Sequence, residues 1–307
     1  MDSPNGNKKM VRPSLTPIIL AGPTGIGKSS LAMAWARRFN GEIVCADSRQ
    51  FYDFMAIGCA APSAKDMREI PHHGFLMFDP RTQKMDAGSF VEFAHKTMAD
   101  IQSRGKRPIL VGGTGLYLRA LAFGLNDVPK GDLNLRAQLE DECQKLGVPA
   151  LYERLQNVDP ETAKAILPND RQRIVRALEI FSITGHKPSL LRQSFSGKSE
   201  VVLKAHWYLL KMPREQLLKN IEIRVESMFQ AGLVDEAIAL RNLLPPGHWA
   251  LEVMGFKEAL MAADSGIDIK KAIELVIIRH RQYAKRQCAW FNREAFYWEI
   301  NLSSPRS

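Results

Sequence analysis

The segment Gly22-Pro23-Thr24-Gly25-Ile26-Gly27-Lys28-Ser29 has the spacing G-x-x-x-x-G-K-[ST]. Glycines at these places let successive backbone N–H groups converge on phosphate oxygens. A helix beginning at the lysine adds its positive end, and Lys28 adds a full charge. Ser29 stands where a hydroxyl can reach a Mg²⁺ ion carried by the phosphates. The motif therefore specifies a phosphate chain, without naming a nucleotide.

Three further side chains stand where such a ligand can be used. Asp47 follows the apolar run Glu42–Ala46, and Thr114 follows Pro108–Val111 within Gly112-Gly113-Thr114-Gly115. In parallel α/β sheets the carboxyl ends of the strands form the ligand crevice. A carboxylate there can take a proton from an attacking amine or hydroxyl, or bind metal. A hydroxyl can donate to a bridging phosphate oxygen as charge develops on it. Arg214 opens a helix just after Pro213, where a cation is misplaced unless it faces an anion, so it is a candidate second clamp on a diphosphate. No clear Walker-B aspartate follows a hydrophobic strand, which weakens an ATP-splitting reading. A diphosphate serving as leaving group needs the same cradle and no hydrolytic water.

The elements that must position these groups alternate. Pro17–Ala21, Glu42–Ala46, Gly74–Phe78 and Pro108–Val111 read as short strands, with helices over Lys28–Phe39 and Phe90–Arg104. Such alternation predicts a parallel sheet covered on both faces. From 126 to 199 the strand signal stops, and helices are predicted over Leu133–Leu146, Ala150–Leu155 and Asp170–Thr184, with Ser194–Ser199 as a polar return loop. Strand character resumes at Val201–Leu210. Helices are predicted again over Glu215–Gln230, Val234–Asn242, Phe256–Ala263 and Ile269–Trp290, with Trp298–Ile300 as a small closing strand. The expected organisation is a polar lead at 1–16, a core at 17–125 and 200–307, and a helical insertion at 126–199.

Bulk properties narrow the partners. The 307-residue chain is 45% apolar and 24% charged, with a formal charge of +9. No apolar run approaches the length of a membrane span. Four cysteines, Cys45, Cys59, Cys143 and Cys288, form no CxxC pair, so neither a zinc ribbon nor a disulfide framework is expected. The cytoplasm is the expected compartment, no obligatory protein partner is expected, and the absence of a coiled-coil pattern makes a monomer the expectation. The surplus charge gathers between Asp170 and Lys198 and between Lys270 and Arg293. Arg173 and Arg176 are three apart, opposite Ile174, Leu178 and Phe181, while Arg281 and Lys285 share a helix face. Both arrangements suit contacts to a phosphate backbone.

Seven segments, in order, resemble the tRNA dimethylallyltransferase (tRNA isopentenyltransferase) family: GPTGIGKS, CADSRQFYDFMAIG, PHHGF, GKRPILVGGTGLYLRAL, PNDRQRIVRALEIF, MGFKEA and RQYAKRQCAWF. The resemblance runs from Pro17 to about Phe291 and implies a P-loop core, similar to nucleotide kinases, with a helical insertion that grips the anticodon stem-loop. It implies transfer of a dimethylallyl group from dimethylallyl diphosphate, with Mg²⁺, to N6 of the adenosine 3′ of the anticodon in tRNAs reading U-initial codons. Asp47 matches the family's general base, Thr114 the residue at the leaving oxygen and Arg214 its supporting arginine. The tRNA-contacting segments match Asp47, Ser48, Arg49 and Gln50; Gln172, Arg173, Ile174, Val175 and Arg176; and Glu252, Gly255, Phe256 and Lys257. The lack of a zinc-finger extension suits the bacterial type.

Gly58-Cys59-Ala60-Ala61-Pro62 departs from the Gly-Thr-Ala-Lys-Pro run that the family often has, Gly74 replaces a usual apolar residue, and His280 replaces a common Thr. Competing readings are an adenylate isopentenyltransferase, against which the basic insertion argues, and a P-loop small-molecule kinase, for which no acceptor signature appears. A non-enzymatic RNA-binding module leaves the phosphate cradle and Asp47 without a task.

Overall fold

The computed structural model describes residues 15–124, 131–193, 201–295 and 297–302. Residues 1–14 of the predicted lead at 1–16, the start of the insertion at 126–130 and the return loop Ser194–Ser199 lie outside the described residues.

Six parallel strands form one sheet in the order β3-β2-β4-β1-β5-β6. They are β1 (Ile18–Ala21), β2 (Gly41–Cys45), β3 (His72–His73), β4 (Arg107–Gly112), β5 (His206–Lys211) and β6 (Trp298–Asn301). β1 and β2 are buried at every residue. A parallel strand covered on both faces has no solvent side, which is why β1 is a continuous apolar run and β2 is apolar from Ile43 to Cys45, its one charge, Glu42, being paired with Arg104 and His73.

In the first half the helices are α1 (Lys28–Phe39), α2 (Ala64–Glu69), α3 (Ala87–Ser103) and α4 (Gly115–Phe123). After the strand β5 come α10 (Arg214–Gln230), α11 (Leu233–Leu243), a 3₁₀ turn at Trp249–Glu252, α12 (Phe256–Ala263) and α13 (Ile269–Phe291). Gly27 precedes α1 at φ 91°, and Asn40 ends it at φ 50° in the left-handed conformation of a helix C-cap, its N–H donating to Ala36 O. The core under the sheet joins Ile18, Leu20, Ile109 and Val111 to Ala32 and Ala36 of α1, Leu217, Ile221 and Val225 of α10, and Val276 and Ala284 of α13.

Two expected strands move. Gly74–Phe78 is not a strand, because Gly74 (φ 83°) and Leu76 (φ 49°) turn the chain out of extended geometry; the pairing falls on His72–His73 instead. Phe78 keeps only a bridge to Tyr52. The strand expected from Val201 begins at His206, because its partner begins at Ile18 and offers nothing earlier to pair with.

The chain divides into two compact units, Met1–Arg119 with Leu203–Ser307, and Ala120–Val202. The second contains α5 (Leu133–Leu146), α6 (Val148–Val158), α7 (Pro160–Lys164), α8 (Arg171–Thr184) and α9 (Pro188–Gln193) around Leu139, Leu151, Leu155, Ile174 and Leu178. Its entry and exit are tied by the Val202 N–H donating to Ala122 O at 2.7 Å. Buried Asp159 caps α7 through Thr162 N–H and also accepts from Ser189 N–H, which joins α7 to α9.

Candidate active site

Strand order decides which loops can meet. β2, β4 and β1 are neighbours, so the residues after their carboxyl ends lie side by side: Asp47 after β2, Gly113 and Thr114 after β4, and Gly22–Ser29 after β1. The approach is close. A Cβ on Gly112 would lie 1.9 Å from Ala46 O, so only glycine fits between β4 and β2. Thr114 N–H donates to Ala46 O at 3.4 Å, and the Ser48 N–H donates to Thr114 Oγ1 at 2.9 Å. Asp47 Oδ1 accepts the Arg49 N–H at 3.0 Å, an Asx-type turn.

The phosphate loop is held from two sides. Asn220 of α10 donates to Gly25 O at 3.1 Å, and Gln287 of α13 accepts from Thr24 N–H at 2.8 Å. Gly25 (φ 79°) and Gly27 (φ 91°) take left-handed conformations, and a Cβ on Gly27 would meet nothing within 4 Å. Glycine is required there by the backbone, and the space beside it is open. Ser29 lies on the first turn of α1. These residues fit an anionic phosphate chain. The Ser29 hydroxyl is an oxygen donor of the kind that a phosphate-bound Mg²⁺ takes; among the described residues no group of three or more His, Cys, Asp or Glu could hold a metal ion. Ile26 is core, so only its backbone faces a ligand.

Lys28 Nζ donates to Gly22 O and Pro23 O, each at 2.8 Å. Burial pulls its pKa down to about 8; Asp47 opposes that shift and Arg224 adds to it. Sequence reasoning missed Arg224. It lies on α10 with the buried residues Ile221, Val225 and Met228, and its Nε is shielded without a hydrogen-bond partner. Burial lowers its pKa and the nearby Asp47 carboxylate raises it. Three charged groups, Lys28, Asp47 and Arg224, thus share one field. The signal was present: an arginine interrupting the stripe Leu217-Ile221-Arg224-Met228 at helical spacing has no structural reason to be there. Arg214, the arginine expected in this role, is exposed at the first residue of α10 and enters no hydrogen bond or ion pair among the described residues. A helix start on the surface leaves it facing solvent, so Arg224 is the better placed of the two to act as clamp.

Arg224 also lines a cleft of about 530 Å³ with Ala56, Ile57, Pro62, Met67 and Met228. Its wall, the turn at 56–61, is pinned twice. Glu236 accepts from Ile57 and Gly58 N–H at 2.8 Å each, and Gln50 Nε2 donates to Cys59 O and Ala60 O. Gln50 is therefore occupied internally. Arg49 is exposed and lies 5.2 Å over the Trp249 ring.

The residues expected to contact RNA fall into two groups. Gln172, Arg173, Lys257, Glu252 and Lys285 are exposed, although Lys257 and Glu252 pair at 3.0 Å. Arg281 pairs with Glu222, and Arg176 with buried Glu179 at 2.6 Å. Ile174 and Val175 are sealed in the core of their unit, and Phe256 is fully buried against Gly58, where a Cβ would lie 2.4 Å from the ring. Their side chains cannot reach a ligand: α8 and α12 turn one face inward, and a contiguous sequence match takes in both faces. Gly255, at φ 101°, sets the start of α12. The paired histidines are engaged within the fold, His72 with Ile70 O and His73 with Glu42.

A parallel P-loop sheet with a phosphate cradle, an acid after β2 and a hydroxyl after β4 defines a P-loop enzyme of the group-transferring kind. Residues 50–294 match the model of the IPP transferase family, and the chain belongs to that family. It is 43% identical over 290 residues to tRNA dimethylallyltransferase 1 of Citrifermentans bemidjiense, covering 92% of this chain and 90% of that protein. It is 42% identical to the tRNA dimethylallyltransferase of Geobacter metallireducens, covering 91% and 90%. Among solved structures it resembles the tRNA isopentenylpyrophosphate transferase of Bacillus halodurans (TM-score 0.65, 33% identity, 94% and 90% covered). It also resembles a eukaryotic dimethylallyltransferase acting on tRNA (TM-score 0.77, 30% identity, 93% and 73% covered).

Proposed function

We propose that the protein transfers a dimethylallyl group from dimethylallyl diphosphate to N6 of the adenosine immediately 3′ of the anticodon in tRNAs reading U-initial codons, acting as a cytoplasmic monomer. The observation that carries this reading is the juxtaposition of Asp47 and Thr114, joined through the Ser48 N–H, beside the phosphate loop. An acceptor-side acid and a donor-side cradle belong together only if the two substrates react directly.

The Gly22–Ser29 loop holds the diphosphate through its N–H groups and Lys28. The apolar walls near Arg224 suit the branched five-carbon chain. Ser29, together with the diphosphate, would hold a Mg²⁺ ion, which would supply positive charge to the leaving group. The adenine leaves the anticodon-loop stack to reach the pocket. Its N6 forms a bond to C1 of the allyl group as the C1–O bond breaks, and the electron pair leaves with the diphosphate. Asp47 takes the N6 proton. Thr114, Lys28 and Arg224 stabilise the charge that appears on the departing oxygen. Arg173 and neighbouring exposed bases of the helical unit serve the tRNA backbone. Among the described residues no helix is long and apolar enough to cross a membrane.

The test incubates purified protein with Mg²⁺, radiolabelled dimethylallyl diphosphate and an unmodified tRNA carrying A 3′ of an anticodon ending in A, with AMP in a parallel reaction. Label on tRNA and none on AMP supports the reading. Label on AMP assigns the protein to free-nucleotide prenyl transfer, and no label on either overturns it.

A further inference from the structure

Gln287 sits on the face of α13 that meets the phosphate loop, 5% exposed, and uses both ends of its amide. Its Oε1 accepts the Thr24 N–H at 2.8 Å, and its Nε2 donates to Gly113 O at 2.9 Å. One side chain therefore bridges the phosphate loop after β1 and the hydroxyl-bearing loop after β4. The chain of contacts continues from Gly113 to Thr114, whose Oγ1 receives the Ser48 N–H next to Asp47. The packing is tight. A Cβ on Gly113 would lie 2.3 Å from Gln287 Nε2 and 3.2 Å from Gly22 O, so residue 113 has no side chain because the glutamine occupies that space.

We propose that Gln287 is a positioning residue for the transfer: it sets the separation between the donor's phosphate loop and the Thr114–Asp47 pair that meets the leaving oxygen and the acceptor amine. This rests on the reading of Gly22–Ser29 as the donor cradle. Sheet hydrogen bonds join β1 to β4 only as far as Ala21 and Gly112. Beyond those residues the two loops have no common ladder, and the amide supplies the link. An amide suits this task because one end must accept from an N–H and the other must donate to a carbonyl. Thr24 N–H is then spoken for, which leaves the N–H groups from Gly25 to Ser29 for phosphate. Reacting atoms held a fraction of an ångström out of place cost rate more than binding.

The chemistry makes the role separable from mere packing. In Gln287→Glu the shape is kept and Thr24 keeps an acceptor, but an ionised carboxylate oxygen faces Gly113 O with no proton between them. Protonation restores the missing donor. Gln287→Met keeps the bulk and loses both bonds at every pH.

The experiment measures kcat and the KM for each substrate from pH 5.5 to 8.5, with circular dichroism melts for every variant. Wild-type transfer is measured first, because failure there overturns the reading of function and leaves the brace out of account. Given wild-type activity, Gln287→Met is expected to lower kcat about tenfold to a hundredfold with the KM for tRNA unchanged. Gln287→Glu is expected to be equally slow at pH 8 and to recover relative to wild type as pH falls. In a double-mutant cycle, Gly113→Ala, which displaces the amide, is expected to lower kcat in the wild type and to add little to Gln287→Met. Folded variants with wild-type kcat would overturn the proposal. So would a Gln287→Glu enzyme whose relative rate is flat with pH, or losses at 113 and 287 that simply add.

Discussion

The backbone N–H of Ser48 donates to Thr114 Oγ1 at 2.9 Å, which couples the loop after β2 to the loop after β4 through a side chain 66 residues away. With one oxygen lone pair engaged, the Thr114 hydroxyl is oriented and its own proton is free to point at a departing phosphate oxygen. Thr114→Ser is expected to retain most of the activity. Thr114→Val, similar in shape and unable to accept or donate, is expected to lose a factor of about 10²–10³ in kcat. Single-turnover transfer measurements check this; equal rates for the two variants would remove the hydroxyl from the mechanism.

Asp47→Asn keeps an oxygen for the Arg49 N–H and so keeps the turn, but removes the charge. Transfer to tRNA is expected to fall by a factor of about 10²–10⁴, with the melting temperature close to wild type. A variant that folds and works normally would show that the carboxylate is not the proton acceptor.

The two arginines of α10 are expected to part company. Arg224→Ala removes a shielded cation beside Asp47 and Lys28, and kcat/KM is expected to drop by about 10²–10³. Arg214→Ala alters an exposed helix start and is expected to stay within a factor of about three. The reverse order would return the clamp to Arg214.

Burial lowers Lys28 to about 8, so its ammonium is present below that pH and lost above it. Donor affinity is therefore expected to fall roughly tenfold between pH 7 and pH 9, because only the charged fraction binds. A bound diphosphate favours the charged form, so binding at pH 8.5 takes up a proton. Calorimetry in two buffers of different ionisation enthalpy reads that uptake directly, and no uptake would contradict the depressed pKa.

Glu42 is 2% exposed and held by Arg104 and His73. The Arg104 hydrogen bond, joined by that of His73 and opposed by burial, keeps its carboxyl below the ordinary range. An acid with a depressed folded pKa stabilises above its unfolded value near 4.5 and loses that contribution as pH falls through the folded one. Glu42→Gln is expected to cost about 2 kcal/mol at pH 7 and progressively less below pH 4.5. Urea melts across that range check the convergence.

Local chemistry determined much of this protein. Glycine spacing before Lys28, apolar runs too short for anything but strands, and the helix signals of Lys28–Phe39 and Leu133–Leu146 are decided by residues within one turn of each other. The positions of Asp47 and Thr114 were legible for the same reason, since each lies two residues beyond the end of its strand. The tertiary structure decided everything that depends on pairing and facing. β5 starts at His206 only because β1 starts at Ile18, and β3 falls on His72–His73 because the left-handed residues Gly74 and Leu76 bend the chain immediately after it. Matched segments gave RNA roles to Ile174, Val175 and Phe256, whose side chains the fold turns inward. The field that Arg224 shares with Asp47, and the span of Gln287 from Thr24 to Gly113, arise between residues far apart in the chain. No local pattern encodes such contacts, because they exist only once strand order has brought the loops after β1, β2 and β4 to one edge of the sheet and packed α10 and α13 against them.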